Sequence, residues 1–305
     1  MSAKTVERKE SPFGIFNTAW EPLLYALPFL IGLVIFTIYP IINVVLISFK
    51  EDYRILTGAY SGWGLDNYAR VIKDPYFLNG VRNTVIYAVA VVPIATALSL
   101  FFANLLNQKI KGIAIFHTLY FLPLVTSSLA VGLSWKLMFN GQNGIINSIL
   151  GVFGIEPIQW LLDPDMNIYT LIIYGIWNMM PMTIILLLSG LQNIDPMYAT
   201  AARVDGADSS KIFFRITVPL LGPTIGLTMI LNTISAFKVY GQLFSLFSGS
   251  PGVAKNLYTA VYYIYEQFYV KWKLGRAAAA SMLLFLVIFV ITMIQRKLQS
   301  RWDYY

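Results

Sequence analysis

The sequence has no cysteine and a single histidine, His117. The first absence excludes a disulfide framework and thiolate chemistry, and the second excludes a histidine cluster around a metal. Charge is scarce too, at 12% of residues against 57% hydrophobic, and the mean hydropathy of +0.64 lies outside the range of ordinary soluble domains. No G-x-x-x-x-G-K-[ST] phosphate loop is present, which leaves no P-loop nucleotide site in this sequence. The net charge of +7 comes from basic residues scattered among apolar runs, a pattern that suits anionic lipid headgroups and not nucleic acid. These features define an integral membrane protein.

What the chain has in place of charge is long apolar runs. Crossing about 30 Å of hydrocarbon as helix takes ~20 apolar residues, and six runs qualify, at 22–49, 84–106, 113–138, 168–191, 219–244 and 277–294. The fold class expected is therefore all-α, a polytopic membrane protein with six transmembrane helices between an N-terminal tail, 1–21, and a C-terminal tail, 295–305. The first run is too long for a signal peptide and lacks a small-residue cleavage pattern after it, so it reads as a retained helix with no cleaved targeting segment. None of the six runs contains Asp or Glu, which leaves no carboxylate to bind a coupling proton or sodium ion and argues against a secondary transporter.

Orientation follows from Lys and Arg. With the amino terminus inside, Lys4, Arg8, Lys9, Lys109, Lys111, Arg203, Lys211, Arg215, Arg296, Lys297 and Arg301 make the inside segments roughly twice as basic per residue as the outside loops. Both termini are then cytoplasmic. The outside loop 250–276 contains "NLYTAVYYIYEQFYVKW", which reads either as an aromatic belt at the membrane surface or as a ligand site. Lys136, near the outer end of its run, suits a snorkelling side chain. His117 has no second His or carboxylate near it in sequence and receives no role.

The segment 195–218, between the fourth and fifth runs, is the most polar and regular stretch between two apolar ones. Asp195 and Pro196 predict a helix start, as N-cap and first helical residue. Gly206 predicts its end, because only glycine takes the left-handed C-cap without penalty. Asp208, Ser209 or Ser210 can cap a second short helix, on which Ile212, Phe213 and Ile216 share a face while Lys211 and Arg215 stand at i, i+4 on another. The expected product is a helix, turn, helix element with a flat face of small residues, Ala199, Ala201 and Ala202. Such an element could merely anchor the spans at the membrane surface, or it could dock a partner.

Polar residues inside the runs are few and patterned. At 100° per residue Thr224, Thr228, Asn232, Ser235 and Gln242 of the fifth run fall in one ~80° sector, with Lys238 about 40° beside it. Thr170, Tyr174, Trp177 and Asn178 form a similar stripe on the fourth, broken by Pro181. Hydroxyls, amides and aromatic faces suit a neutral polyhydroxylated ligand; they equally suit hydrogen bonds between helices.

The run Thr200-Ala201-Ala202-Arg203-Val204-Asp205-Gly206-Ala207, followed by Phe213, Ile216, Pro219 and Pro223, resembles the EAA signature of permease subunits from binding-protein-dependent ABC importers. "GLDNYARVIKDPYF" with "RNT" after it, and "GRAAAASMLLF", are similar to the carbohydrate-importing branch of that family. The resemblance covers most of the chain. It implies the type I ABC importer permease fold and no enzymatic activity in this chain, with ATP and Mg bound by a partner ABC ATPase dimer. Further implied partners are a second, related permease and an extracytoplasmic solute-binding protein, in a bacterial or archaeal cell membrane. It further implies that Thr200, Ala201, Ala202, Asp205, Gly206, Ala207, Phe213 and Ile216 form the ATPase-coupling loop. The family places Glu where this chain has Thr200, and a hydroxyl is a weaker partner than a carboxylate for a cationic side chain. Candidates for the solute pathway are Tyr174, Trp177, Asn178, Thr228, Asn232, Ser235 and Lys238. A non-sugar solute such as glycerol phosphate is an alternative within transport, for which the outside-facing Lys and Arg would matter more. A membrane-embedded enzyme acting on lipid phosphates would need clustered carboxylates or His at an interface, and the sequence shows no such cluster.

The topology is directly testable, because the chain has no native cysteine. Lys4→Cys and Asp303→Cys should both be shielded from an impermeant maleimide in intact cells, and labelling of both would reverse the assignment.

Overall fold

The computed structural model describes residues 21–108 and 113–299. Lys4, Arg8, Lys9, Lys109, Lys111 and Arg301, most of the predicted tail 1–21, positions 300–305 of the other tail and the side chain of His117 lie outside the described residues. The chain divides into two compact units, Met1–Ile47 and Ser48–Tyr305.

The first unit holds most of α1, Leu23–Phe49. This helix carries Pro40, which has no N–H to donate and whose ring crowds the carbonyl four residues earlier. Directly before it the helix widens into a π turn, Val34–Ile38, in which the Tyr39 N–H reaches back to the Val34 carbonyl. One inserted residue thus absorbs the proline without ending the helix.

In the second unit a short antiparallel pair, β1 (Lys50–Glu51) and β2 (Gly62–Trp63), leads to α2 (Asp66–Ile72). Buried Asn67 of α2 donates to the carbonyls of Ser48 at 3.1 Å and Lys50 at 2.9 Å, fixing α2 against the start of this unit. Next come α3 (Pro75–Leu106), α4 (Ile113–Val125), α5 (Ser128–Met138), α6 (Ile145–Val152) and α7 (Asn167–Gln192). The remainder is α8 (Pro196–Val204), α9 (Ser209–Leu220), α10 (Gly222–Phe237), α11 (Gly241–Leu246), α12 (Ala260–Tyr265) and α13 (Leu274–Gln299).

Among the described residues four helices, α1, α3, α7 and α13, are each long and apolar enough to cross a membrane, and α9 with α10 makes a fifth if that pair, bent by 67°, is one span. The six-span expectation is met only to this extent. The run at 113–138 is divided into α4 and α5, of 13 and 11 residues, too short to cross alone. Pro123 weakens the last turn of α4, the Thr126 hydroxyl turns back onto the Leu122 carbonyl at 2.8 Å, and Ser127 leaves helical geometry with ψ 123°. The run at 219–244 stops at Phe237, with Lys238 as its C-cap. The runs at 84–106, 168–191 and 277–294 appear as the longer helices α3, α7 and α13.

Helix association in lipid gains nothing from apolar burial against apolar tails and depends on close packing and hydrogen bonds. Accordingly, Val91 and Ala95 of α3, Leu171 and Tyr174 of α7, and Ala279 and Ala280 of α13 form a tightly buried core. The alanine run Ala277–Ala280 lets α13 lie close to α10 and α12. A smaller cluster, with Ala103 and Leu106 of α3, Ile184, Leu187 and Leu191 of α7, and Leu221, closes the other end.

The loop after α11 is stitched to the start of α3. Asn83 donates to the carbonyls of Asn256 at 2.8 Å and Tyr258 at 2.9 Å, and the Thr84 hydroxyl accepts from the Ala260 N–H at 3.0 Å. Asp74 caps α3 by accepting from the Tyr76 N–H, and its other oxygen accepts from the Tyr263 hydroxyl at 2.8 Å. Burial, and then the Asp74 carboxylate, push the Tyr263 phenol well above its ordinary pKa. Burial and the accepting Glu266 carboxylate do the same to Tyr258. Both phenols therefore stay protonated donors at any physiological pH.

Asn83→Leu removes two hydrogen bonds; the Asn256 carbonyl keeps the Asn79 amide at 3.2 Å while the Tyr258 carbonyl loses its side-chain donor, so this end should be destabilised by about 1–2 kcal/mol. The check is thermal unfolding of the purified chain together with proteolysis of the 250–256 loop. An unchanged midpoint and an uncut loop would show that the stitch contributes nothing.

Candidate functional site

Two features stand out from the apolar scaffold, one just before α10 and one along α10 and α7. The first is the segment 195–218. The Asp195 carboxylate accepts from the Met197 N–H at 2.8 Å and Pro196 follows as the first helical residue, so α8 starts where its capping chemistry predicts. Gly206 has φ +80°, the left-handed conformation, and around it the Ala207 N–H bonds the Ala202 carbonyl at 2.9 Å while the Gly206 N–H bonds that of Arg203 at 3.0 Å. This is the paired hydrogen-bond pattern of a glycine-terminated helix. Asp208 then accepts from the Lys211 N–H at 3.3 Å and starts α9.

The two faces of this element differ. Ile212 is buried, and Phe213, Ile216, Ala202 and Ala207 are half-buried. On α8 the residues Met197, Thr200, Ala201 and Val204, spaced i, i+3, i+4 and i+7, share one face and are all exposed, Met197 at 66% and Val204 at 84%. Asp205 and Gly206 are exposed beside them. The Thr200 hydroxyl is turned onto its own helix, donating to the Pro196 carbonyl at 3.0 Å. Along α9 a π turn, Phe213–Thr217, comes just before Pro219, repeating the arrangement before Pro40.

The second feature is the set of polar residues on α7 and α10, which the structure separates into three groups. Tyr174, Thr228 and Asn232 are buried within the chain. Asn232 donates to the hydroxyls of Thr96 at 3.2 Å and Thr183 at 3.1 Å, tying α10 to α3 and α7. Thr228 donates to the Thr224 carbonyl of its own helix. Trp177 and Asn178 are half-buried; Trp177 stacks on Tyr174 with Trp135 beside both rings, and Asn178 accepts from the Gln242 amide at 3.1 Å. Trp177 also lines a small cleft of about 180 Å³ with Tyr120, Pro123, Met180 and Pro181. Ser235 and Lys238 are exposed. Because α10 ends at Phe237, Gln242 stands on α11 and does not continue the single-helix sector.

Sequence reasoning did not single out Thr96 and Thr183. A lone threonine in an apolar run carries no periodic signal, so neither could be told from a packing residue. Among the described residues no three His, Asp or Glu side chains converge on a point that could hold a metal.

Several apolar helices, an exposed capped element between two of them and polar residues along their faces define a multi-pass membrane protein. The chain belongs to the family of binding-protein-dependent transport system inner membrane components, whose model matches residues 76–304. It is 33% identical over 281 residues to the probable ABC transporter permease protein YesP of Bacillus subtilis (strain 168), covering 91% of this chain and 90% of that one. It is 31% identical over 294 residues to the arabinooligosaccharides transport system permease protein AraP of Halalkalibacterium halodurans, with 94% and 91% covered. Among solved structures it resembles a chain of a bacterial alginate ABC transporter, in complex with an alginate pentasaccharide-bound periplasmic protein. That match has a TM-score of 0.79 at 22% identity and covers 93% of this chain and 97% of that one. The likeness shows a shared fold, that of type I ABC importer permeases. The chain is accordingly a multi-pass inner-membrane transport component and not an enzyme.

Gly206 separates conformational from steric effects, since a Cβ built there meets nothing within 4 Å. Only the left-handed backbone is at stake in the chain itself, at about 1–3 kcal/mol for a residue that resists it. Asn tolerates that conformation better than Ala, and β-branched Val worst. If the segment docks an ATPase, as the family resemblance implies, co-purification with that ATPase and ATP-dependent uptake should fall in the order Gly206→Asn, Gly206→Ala, Gly206→Val. Equal behaviour of all three at the wild-type level would make the segment an ordinary surface loop.

Proposed function

We propose that this chain forms half of the translocation pathway of an ABC importer for a sugar or oligosaccharide and couples it to a cytoplasmic ATPase through the segment 195–218. The observation that carries the reading is the exposed stripe Met197, Thr200, Ala201 and Val204, held rigid between two side-chain caps and a glycine turn. An apolar stripe on a polar, water-facing element is stabilised only when something covers it. The groove of a cytoplasmic ATPase, which binds the ATP and Mg, is the fitting cover. With its hydroxyl turned onto the Pro196 carbonyl, Thr200 then presents chiefly its methyl group where the family has a carboxylate, so this contact rests on shape more than charge.

The rest of the assembly follows from the other face. Ser235 and Lys238 are exposed on or next to a span, and an ammonium facing hydrocarbon is costly. A water-filled path shared with a second permease resolves this, with Trp177, Asn178, Ser235 and Lys238 lining it. Asn232, Thr228 and Tyr174 support that lining from behind. Sugar as the solute class is supported by relatives such as the arabinooligosaccharide permease and by hydroxyl, amide and aromatic groups in the polar set. The ATPase sits in the cytoplasm, and with it both termini; an extracytoplasmic solute-binding protein delivers the solute at the opposite face.

Reconstitution tests this reading. The chain, co-expressed with a second permease of the family, an ABC ATPase and a solute-binding protein from the same organism, should give liposomes with ATP-dependent uptake of at least one sugar or oligosaccharide. Uptake of glycerol 3-phosphate and of no sugar in a broad panel would overturn the solute class; uptake without the ATPase would overturn the coupling.

A further inference from the structure

A cleft of about 430 Å³ opens at the end of the protein opposite the segment 195–218, with Lys136, Asn140, Gln159, Phe247, Ser248 and Ser250 among its lining. Its size is that of a small-molecule site, which run from ~300 to 1,000 Å³. We propose that it is a subsite for a sugar unit bearing a carboxylate, a uronate, on the extracytoplasmic face; the proposal rests on the sugar-importer reading above.

The walls are built and fixed. Asn147, 5% exposed, makes four hydrogen bonds: its amide donates to the carbonyls of Gly141 and Ile158, each at 2.9 Å, and its oxygen accepts from the Ile158 N–H at 3.2 Å and the Trp160 indole at 2.8 Å. One side chain thus locks both the 140–141 turn and the 158–160 segment that carries Gln159. The Thr170 hydroxyl at the start of α7 then holds the Trp160 carbonyl at 2.8 Å. Gln159 lies directly against Gly141, where any Cβ would displace its amide. The opposite wall turns through Ser248 and Gly249, both at positive φ, and is pinned by the Tyr262 hydroxyl on the Gly249 carbonyl at 3.0 Å. Such preorganisation lowers the cost of binding.

The chemistry of the lining selects the ligand. Lys136 bonds the Ser248 hydroxyl and, among the described residues, belongs to no ion pair. No carboxylate is part of the lining, so its ammonium offers charge-assisted hydrogen bonds to an incoming anion. The Oδ1 of Asn140 already accepts from the N–H groups of Gln142 and Asn143, which leaves its amide as a donor toward the cleft. Phe247, Leu161 and Leu246 supply an apolar wall. A bare inorganic anion has no use for that wall, and a neutral sugar can accept from the ammonium only through hydroxyls, without the stronger charge-assisted bond that a carboxylate makes. A uronate uses both, its carboxylate on Lys136, its hydroxyls on the amides and serines, its C–H face on the apolar side.

The test is equilibrium binding to the permease–ATPase complex in lipid nanodiscs, without the solute-binding protein, using galacturonate, galactose and acetate as probes. Galacturonate should bind about tenfold more tightly than galactose or acetate, the scale of one charge-assisted hydrogen bond. Lys136→Gln should erase the preference over galactose, the probe that lacks the carboxylate, and Lys136→Arg should keep it. Gly141→Ala should weaken galacturonate and galactose alike. No binding of galacturonate, equal binding of galactose or acetate, or an undiminished preference over galactose in Lys136→Gln would each overturn the proposal. If binding fails while the reconstituted system still imports a sugar, the cleft assignment alone falls. If galacturonate binds as described but no sugar is imported, the subsite stands and the importer reading falls.

Discussion

Inside hydrocarbon there is no water to take an unpaired donor or acceptor, so every backbone group and polar side chain of a span must find its partner within the protein. Much of the detail here is that constraint worked out. Thr84, Thr126, Thr183, Thr228, Thr233, Ser281 and Thr292 each turn their hydroxyl onto a carbonyl four residues earlier. Hydroxyls satisfied this way can sit in apolar surroundings with no partner helix. Asn232 cannot, because its amide has two donors and an acceptor; it reaches Thr96 and Thr183 and so joins three helices at one point. The prolines obey the same rule. Before Pro40 and before Pro219 the helix inserts a residue, and the backbone N–H ahead of the ring finds a carbonyl five residues back.

The same constraint explains which parts of the fold are legible in the sequence. The two caps at Asp195 and Asp208 and the stop at Gly206 were readable because their causes are local: a side-chain oxygen within reach of a nearby N–H, and a conformation that favours glycine. The existence of α3, α7 and α13 was readable from length and hydropathy. The break between α4 and α5 was not, since averaging over an apolar run hides one Pro and one Ser whose effect is geometric. The reading of Gln242 went astray for a related reason: a helical wheel assumes the helix continues, whereas α10 ends at Phe237 and Gln242 pairs with Asn178 from a separate helix.

The family-like stretches had a physical content that spacing alone did not show. Asn67 in "GLDNYARV" binds the chain just ahead of it, and Asn83 and Thr84 in "RNT" hold a loop more than a hundred residues away. The alanines of "GRAAAASM" are the closest-packed part of α13. Contacts across such separations have no periodicity and no neighbouring cue in the sequence. The Lys136 cleft belongs to the same class, assembled from three distant segments around Asn147, a residue that in sequence looks like any polar position in a loop.

The layout of α8, α9 and α10 bears on how force would travel under the proposed coupling. The exposed stripe lies on α8, and the chain passes through the Gly206 turn into α9, whose Ile212 is buried. Between α9 and α10 the chain bends by 67° at Leu221, which is 1% exposed and packed with Leu187 and Leu191 of α7 and Ala103 of α3. A bend at an exposed residue would act as a free hinge and dissipate a push on α8. A bend whose apex is buried cannot open without disturbing close-packed neighbours, and packed interiors resist deformation. Displacement of the stripe would then reach α10 as movement of a rigid arm. Along α10 it arrives at Asn232, which shares hydrogen bonds with α3 and α7, so the three helices would shift together and carry the exposed Ser235 and Lys238 with them.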